Sequence, residues 1–155
     1  MGADSPERQV AKFMDRYDPR VARVARAART RLRRLLPGTL ELVYDNYNAL
    51  AIGFSPTERA SDVVASIALY PRWVSLFFMH GRRLPDPRGL LRGSGSRVRH
   101  IVLERASMLD SPGVVALVRA AVAAHPTPIV GGQRRRTIVK SVSAKQRPRR
   151  PPATR

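Results

Sequence analysis

Between Leu40 and Glu104 five short apolar runs follow one another with a period of two: Leu40–Asp45, Ala49–Phe54, Val64–Tyr70, Trp73–Met79 and Val98–Glu104. No segment of helical period separates any two of them. A parallel join needs a dozen or more residues, usually helical, so strands in immediate succession pair most simply as antiparallel neighbours. The joins at Asp45-Asn46 and Tyr70-Pro71-Arg72 are of hairpin length, and Ser55–Asp62 is a polar loop. These constraints predict a mostly antiparallel five-stranded sheet. Trp73–Met79 is apolar on both sides, with Trp73, Phe77 and Met79 alternating against Val74, Leu76 and Phe78. That pattern predicts a central strand covered on both faces.

Helices flank the strand region. Ser5-Pro6-Glu7 combines a capping serine, a proline suited to the first helical position and an acid in the first turn. Val10, Phe13, Met14 and Tyr17 then form one apolar stripe. Asp18-Pro19 repeats the start signal, and Pro37-Gly38 stops the second helix. Its apolar line is Val21, Val24, Ala25, Ala28, Leu32, Leu35 and Leu36. Arg20, Arg23, Arg26, Arg29, Arg31, Arg33 and Arg34 cover the rest, which reads as a solvated face. Ser111-Pro112 opens a third helix, running to about Ala124. It is apolar around most of its circumference, so it is expected to be buried against the sheet and against another helix or a second subunit. The fold class is therefore α+β, with two N-terminal helices, a five-stranded sheet and one buried C-terminal helix. A homodimer through that last helix is one expected partnership.

The expected domain occupies residues 1–125. Residues 126–155 read as a Pro/Gly linker and a basic, largely disordered tail. Within it Thr137–Val142 alternates weakly, enough for a short added strand. The chain carries 29 Lys+Arg against 11 Asp+Glu, a net charge of +18. Nine basic residues and no acid lie in 133–155, so the other 20 basic residues set against the 11 acids leave +9 for the body. An excess of one sign speaks to partners, and here it selects negatively charged ones. The tail residues expected to meet nucleic-acid phosphates are Arg134, Arg135, Arg136, Lys140, Lys145, Arg147, Arg149 and Arg150. There are no cysteines, the opening MGADSPERQ lacks the apolar stretch of a secretory leader, and no run reaches membrane-spanning length. A cytoplasmic location and no membrane partner are the expectations.

The richest local feature is the join between the last two strand runs. Arg82, Arg83, Arg88, Arg92, Arg97 and Arg99 flank Gly89, Gly93 and Gly95. A loop that long in a small domain is functional or disordered, and two strongly apolar strands hold this one, so order is expected. It lacks the G-x-x-x-x-G-K-[ST] fingerprint of nucleotide loops. Glycine amides and guanidinium forks can still build an anion nest. Arg82, Arg83, Arg88, Arg92 and Arg97 are therefore the candidate residues for a phosphate-bearing ligand.

The segment LFFMHGRRLPDPRGLLRGSGSRVRHIVLE, Leu76–Glu104, resembles the family called domain of unknown function 1801, the YdhG-like proteins. The resemblance runs more loosely from about Gln9 to Arg150, including the helix after Ser111-Pro112 and the KSVSAKQRPRR ending. It implies a small α+β domain with an antiparallel sheet and flanking helices. Some members of that family are described as frataxin-like iron chaperones. An ion surface of that kind is rich in Asp and Glu, whereas the N-terminal helices here hold arginines and only Asp4, Glu7, Asp15 and Asp18.

Other chemistries find little support. His80, His100 and His125 have no metal-ligand spacing. Should the strands bearing His80 and His100 pair, the two imidazoles can approach one another, and with Tyr70 they form a candidate pocket. No nucleophile elbow is present; Ser94 sits in Gly93-Ser94-Gly95, a flexible turn. Glu41 and Asp45, four apart on a strand, lie about 13 Å apart, too far to cooperate as glycosidase carboxylates, and are expected to face solvent. Trp73, Phe77 and Phe78 invite a stacking platform, but their strand reads as core. The reading leans against an enzyme and names no cofactor. It favours an anion- or nucleic-acid-associated binding module, with an iron carrier by family analogy and a small-molecule pocket enzyme as alternatives.

Overall fold

The computed structural model describes residues 4–153. Helix α1 (Pro6–Asp15) begins where the Ser5 hydroxyl accepts from the Arg8 amide at 3.2 Å. Helix α2 (Pro19–Leu35) begins where the Asp18 carboxylate accepts from the Arg20 amide at 2.9 Å. Both starts place proline in the first turn, where its missing N–H costs nothing. The chain leaves α2 through Gly38, whose φ of +84° belongs to the left-handed region glycine tolerates.

Six strands follow: β1 (Leu40–Asp45), β2 (Leu50–Ser55), β3 (Ala65–Leu69), β4 (Val74–Phe78), β5 (Arg99–Leu103) and β6 (Thr137–Val142). Their order across the sheet is β5-β4-β3-β2-β1-β6. The first five pair antiparallel in sequence order, as the short joins require. The sixth makes the sheet mixed. It pairs parallel with β1, from Glu41 opposite Thr137 to Asp45 opposite Val142. Helix α3 (Pro112–Ala124) lies between β5 and β6 in the chain and supplies the crossover that a parallel pairing demands.

One face of the sheet is covered. Leu50, Ile52, Phe54, Ile67, Leu69, Val74, Leu76, Phe78, Ile101 and Leu103 point into a single core with α1, α2 and α3. The Tyr17 side chain is buried there, and its hydroxyl accepts from the Leu50 amide at 3.0 Å, fastening the end of α1 to β2. The opposite face carries only a small cluster of Leu40, Leu42 and Val63, with Tyr44 and Ile138 beside it. Beyond it that face is open, which corrects the expectation that β4 is central and covered twice. The strand lies next to the edge, its Val74, Leu76 and Phe78 are buried, and Trp73 and Met79 are exposed.

Helix α3 packs on the core and beside α2 as expected, but it is buried along one side only. Val114, Leu117, Val118 and Ala121 are buried, but Ala116, Arg119, Ala123 and Ala124 face solvent. Alanine presents little apolar area, so a helix apolar all round by composition need only be buried along one side.

The chain after residue 125 is not the largely disordered tail that its composition predicts. Beyond β6 it wraps the β1–β2 hairpin: the Ser143 amide donates to the Asp45 carbonyl at 2.8 Å, and the Arg147 amide to the Tyr47 carbonyl at 2.9 Å. Arg149 is buried, and its guanidinium donates to the Asp45 carboxylate at 2.9 Å and to the Asn46 carbonyl at 2.5 Å. Composition misleads here because the ordering is achieved by specific polar contacts, not by apolar burial. Arg155, counted with the tail's basic residues, lies outside the described residues.

Glu41 and Asp45 are buried, not solvated, with relative exposures of 0% and 1%. Glu41 accepts from Arg29 Nε at 2.7 Å and from Arg33 Nη2 at 3.0 Å. Arg29 and Arg33 also reach Glu7, each at 3.0 Å, and the Thr137 hydroxyl donates to Glu7 at 2.7 Å. Removing one member of a buried ion pair leaves the other uncompensated, at a cost of about 3–5 kcal/mol. We therefore expect Glu41→Leu to destabilise the protein by about that amount in urea titration, and Arg149→Ala by a comparable amount. A value under about 1 kcal/mol for either would refute the role assigned to it.

Burial acts to raise the Glu7 carboxyl, but the Thr137 hydroxyl and the Arg29 and Arg33 guanidiniums outweigh it and hold the pKa below the ordinary 4.5. A depressed folded value stabilises the fold above the ordinary pKa and stops doing so as pH falls through the folded one. Stability measured in urea should fall as pH drops below about 4.5, and less steeply in Glu7→Gln.

Candidate functional site

The long β4–β5 loop is ordered by its own backbone. A 3₁₀ turn at Gly81–Arg83 leaves β4. Gly81 is buried so tightly that a Cβ there would sit 2.5 Å from the Arg99 Cβ. The Asp86 carboxylate accepts from the Leu90 and Leu91 amides at 2.8 and 2.9 Å, closing a turn over Pro87-Arg88-Gly89. Arg92 and His100 then exchange backbone hydrogen bonds at 2.8 and 2.9 Å, so the loop folds along the outer edge of β5. Leu84, Leu90 and Leu91 pack against the core. The only acid in this loop is consumed by the loop's own amides.

Its arginines are left unpaired. Among the described residues Arg82, Arg83, Arg88, Arg92 and Arg97 take part in no salt bridge, and all five are exposed. The Arg82 amide donates to the Arg97 carbonyl at 3.0 Å, bringing the two ends of the loop together. His80, Arg82, Arg83, Ser96 and Arg97 line one cleft of about 510 Å³, without a carboxylate. Arg88 and Arg92 lie outside it. Arg92 Nη1 donates to the Gly89 carbonyl at 2.9 Å, and the Arg88 stem lies near Gly113 at the start of α3. Three of the five candidate loop residues therefore converge and two do not.

The arginines of α2 are employed differently. Arg29 and Arg33 turn onto Glu41, Arg26 pairs with Asp15, and Arg31 meets Asp110 at 3.1 Å. The face read as solvated is in part an internal ion network.

The tail residues divide as well. Arg136 pairs with Glu58 at 2.7 Å, and Lys140 donates to the Glu58 carbonyl at 3.1 Å. Arg149 is buried against Asp45, and Arg150 donates to the Arg16 carbonyl at 3.1 Å. Arg147 stands over the Tyr47 ring at 5.6 Å. Arg134, Arg135 and Lys145 remain exposed, with no salt bridge among the described residues.

Tyr70, His80 and His100 do not meet in one pocket. Tyr70 stacks on Trp73 with centroids 4.7 Å apart. His80 lies in the arginine cleft. His100 sits opposite Phe77 in the β4–β5 ladder, its ring 5.5 Å from the phenyl. The sequence reading missed an apolar hollow of about 160 Å³ that adjoins the arginine cleft through His80 and Arg83; Val64, Phe78 and Leu84 floor it, and His125 stands at its polar margin. Its walls come from segments far apart in the chain, so no local pattern announces it.

Among the described residues no three His, Asp or Glu side chains stand close enough to hold a metal ion. Glu7, Asp15, Glu41, Asp45 and Asp110 already face arginines, a donor set that does not fit the cation surface of an iron carrier. No helix among the described residues is long and apolar enough to cross a membrane.

Among the described residues no hydrogen bond or salt bridge engages the guanidiniums of Arg82, Arg83 and Arg97. Arg82→Ala and Arg97→Ala should each shift the unfolding free energy by no more than about 0.5 kcal/mol, as surface changes do. A loss of 2 kcal/mol or more in urea titration would make them structural. No family model matches this chain, and neither a curated protein nor a solved structure matches it.

Proposed function

We propose that this protein is a binding module for phosphate-bearing polyanions, nucleic acid foremost, and that the cleft between the ends of the β4–β5 loop is its principal phosphate contact. The observation that carries this reading is the convergence of Arg82, Arg83 and Arg97 beside His80 with no carboxylate in the lining and no ion pair to silence them. The buried Arg29 and Arg149 and the half-buried Arg31 and Arg33 are matched by acids, whereas the three cleft guanidiniums stand together with none to answer them. Guanidinium forks match phosphate oxygens two at a time. Arg134, Arg135 and Lys145 add free cations on the last part of the chain. The contacts are to backbone phosphate, so binding tolerates any sequence.

Salt dependence tests this. Each neutralised phosphate contributes about 0.7 to the slope of log K against log salt on a single strand and about 0.9 on a duplex. In fluorescence anisotropy with a labelled oligonucleotide, the triple variant Arg82→Ser, Arg83→Ser, Arg97→Ser should lower the slope by about 2 on a single strand. An unchanged slope and affinity would remove the cleft from the interface. Equal loss in Arg134→Ser with Arg135→Ser would transfer the main contact to the C-terminal segment.

A further inference from the structure

The uncovered face of the sheet is not an ordinary solvated face. Its floor is of small side chains, Ala51, Ser66 and Ala68, which leave a shallow trough bounded on the β4 side by Phe77 and Met79. Aromatic rings stand around that floor. Trp73 is 43% exposed and stacks on Tyr70 at an interplanar angle of 17°. Phe77 and His100 sit side by side further along β4 and β5. Tyr47 is also 43% exposed, beneath Arg147.

Cations stand at both ends of this trough. At one end Arg72, Arg147 and Arg150 line a groove of about 580 Å³ with Tyr70 and Trp73. At the other, Met79 and Val98 end the trough, and their neighbours in the chain, His80 and Arg97, line the arginine cleft. No Asp or Glu lines the trough, the groove or the cleft. Seven residue steps separate Trp73 from His80, roughly 23 Å along an extended chain. That length accepts about four nucleotides, the lower end of the footprint of single-strand-binding sheets.

We infer that this open face is the seat of a single-stranded nucleic acid, whose bases stack on Tyr70, Trp73 and Phe77 while its phosphates run from the Arg72–Arg147 groove to the Arg82–Arg97 cleft. The inference rests on the polyanion reading above and names which polyanion the site selects. The exposed Trp73 ring and the half-buried Tyr70 and Phe77 rings offer a base a π-face but offer inorganic phosphate nothing, and the bases of an intact duplex are stacked on one another and cannot reach them. Cations at both ends of the track, with no acid between them, favour this occupant over a protein surface. A second copy of this chain would bring the same cations against themselves.

Trp73 is the only tryptophan, so its emission reports on the face directly. The full chain is titrated with a twelve-residue oligo-dT, with inorganic polyphosphate of equal charge, and with a twelve-base-pair duplex. We expect oligo-dT to quench Trp73, and polyphosphate to compete for binding without quenching. Oligo-dT should bind at least tenfold tighter than the duplex. In Tyr70→Leu with Trp73→Leu, checked for an unchanged melting temperature, affinity for oligo-dT should fall about tenfold or more, while polyphosphate affinity stays unchanged. Equal affinity for all three ligands with Trp73 emission indifferent to each would overturn the sheet-face inference and leave the arginine cleft standing. Quenching by oligo-dT that persists at full affinity in the Arg82, Arg83, Arg97 triple variant would uphold the sheet face and sink the cleft. No binding of any ligand at low salt would end both. Concentration-dependent dimerisation that buries Trp73, read by sedimentation and a blue shift, would assign the face to a second copy and overturn the inference.

Discussion

A carboxylate with no access to water sits at the junction of the whole molecule. Glu41 projects from β1 into the covered side of the sheet, where an unpaired charge would cost several kcal/mol. Two arginines one helical turn apart on α2, Arg29 and Arg33, answer it. They also collect Glu7 from α1, and through Thr137 the first residue of β6. Four elements therefore share one hydrogen-bonded ionic cluster. Its geometry sets how α2 lies across the sheet and where the returning chain can add its last strand.

A second buried pair repeats the device at the other end of β1. Asp45 and Arg149 are both nearly inaccessible, and the Arg149 guanidinium stands 5.7 Å from the Tyr17 ring. This pair draws the C-terminal segment over the β1–β2 hairpin. Between them the two carboxylates of β1 turn a basic, proline-rich stretch into part of the fold. The net charge of +18 consequently divides into two populations. Arginines near β1 hold the structure and are electrically answered. Those around the β4–β5 loop and along the margins of the open face are not, and neither are scattered exposed ones such as Arg20, Arg23, Arg34, Arg105 and Arg119. The polyanion reading takes its location from the convergence of Arg82, Arg83 and Arg97 in one cleft.

The antiparallel order of the first five strands, the three helix starts and the order of the long loop were legible in local sequence, because each follows from short-range chemistry: alternation, proline in the first helical turn with a capping side chain before it at Ser5 and Asp18, and apolar segments on either side of a join. The fate of Glu41 and Asp45 was not legible, since a carboxylate in an alternating strand looks the same whether it meets water or a guanidinium. The open face was misread for a related reason. Trp73, Phe77 and Met79 are apolar enough for a core, and only the packing of all three helices on the other side leaves Trp73 and Met79 exposed and Phe77 half-buried. Pairing of the strands that bear His80 and His100 predicts that the imidazoles approach, but the register sets Phe77, not His80, opposite His100, and Tyr70 stacks on Trp73 instead.

What this chain determines locally is therefore its elements and their succession, along with an excess of guanidinium. Hydrogen-bond periodicity and steric capping act within a few residues and need no tertiary context. What only the assembled structure decided is which charges are spent and which are free, because ion pairing depends on residues as far apart as Glu7 and Thr137 or Asp45 and Arg149. The same holds for the sheet's uncovered side. A strand's two faces are chemically alike until helices choose one of them, and that choice is made by the packing of the whole chain.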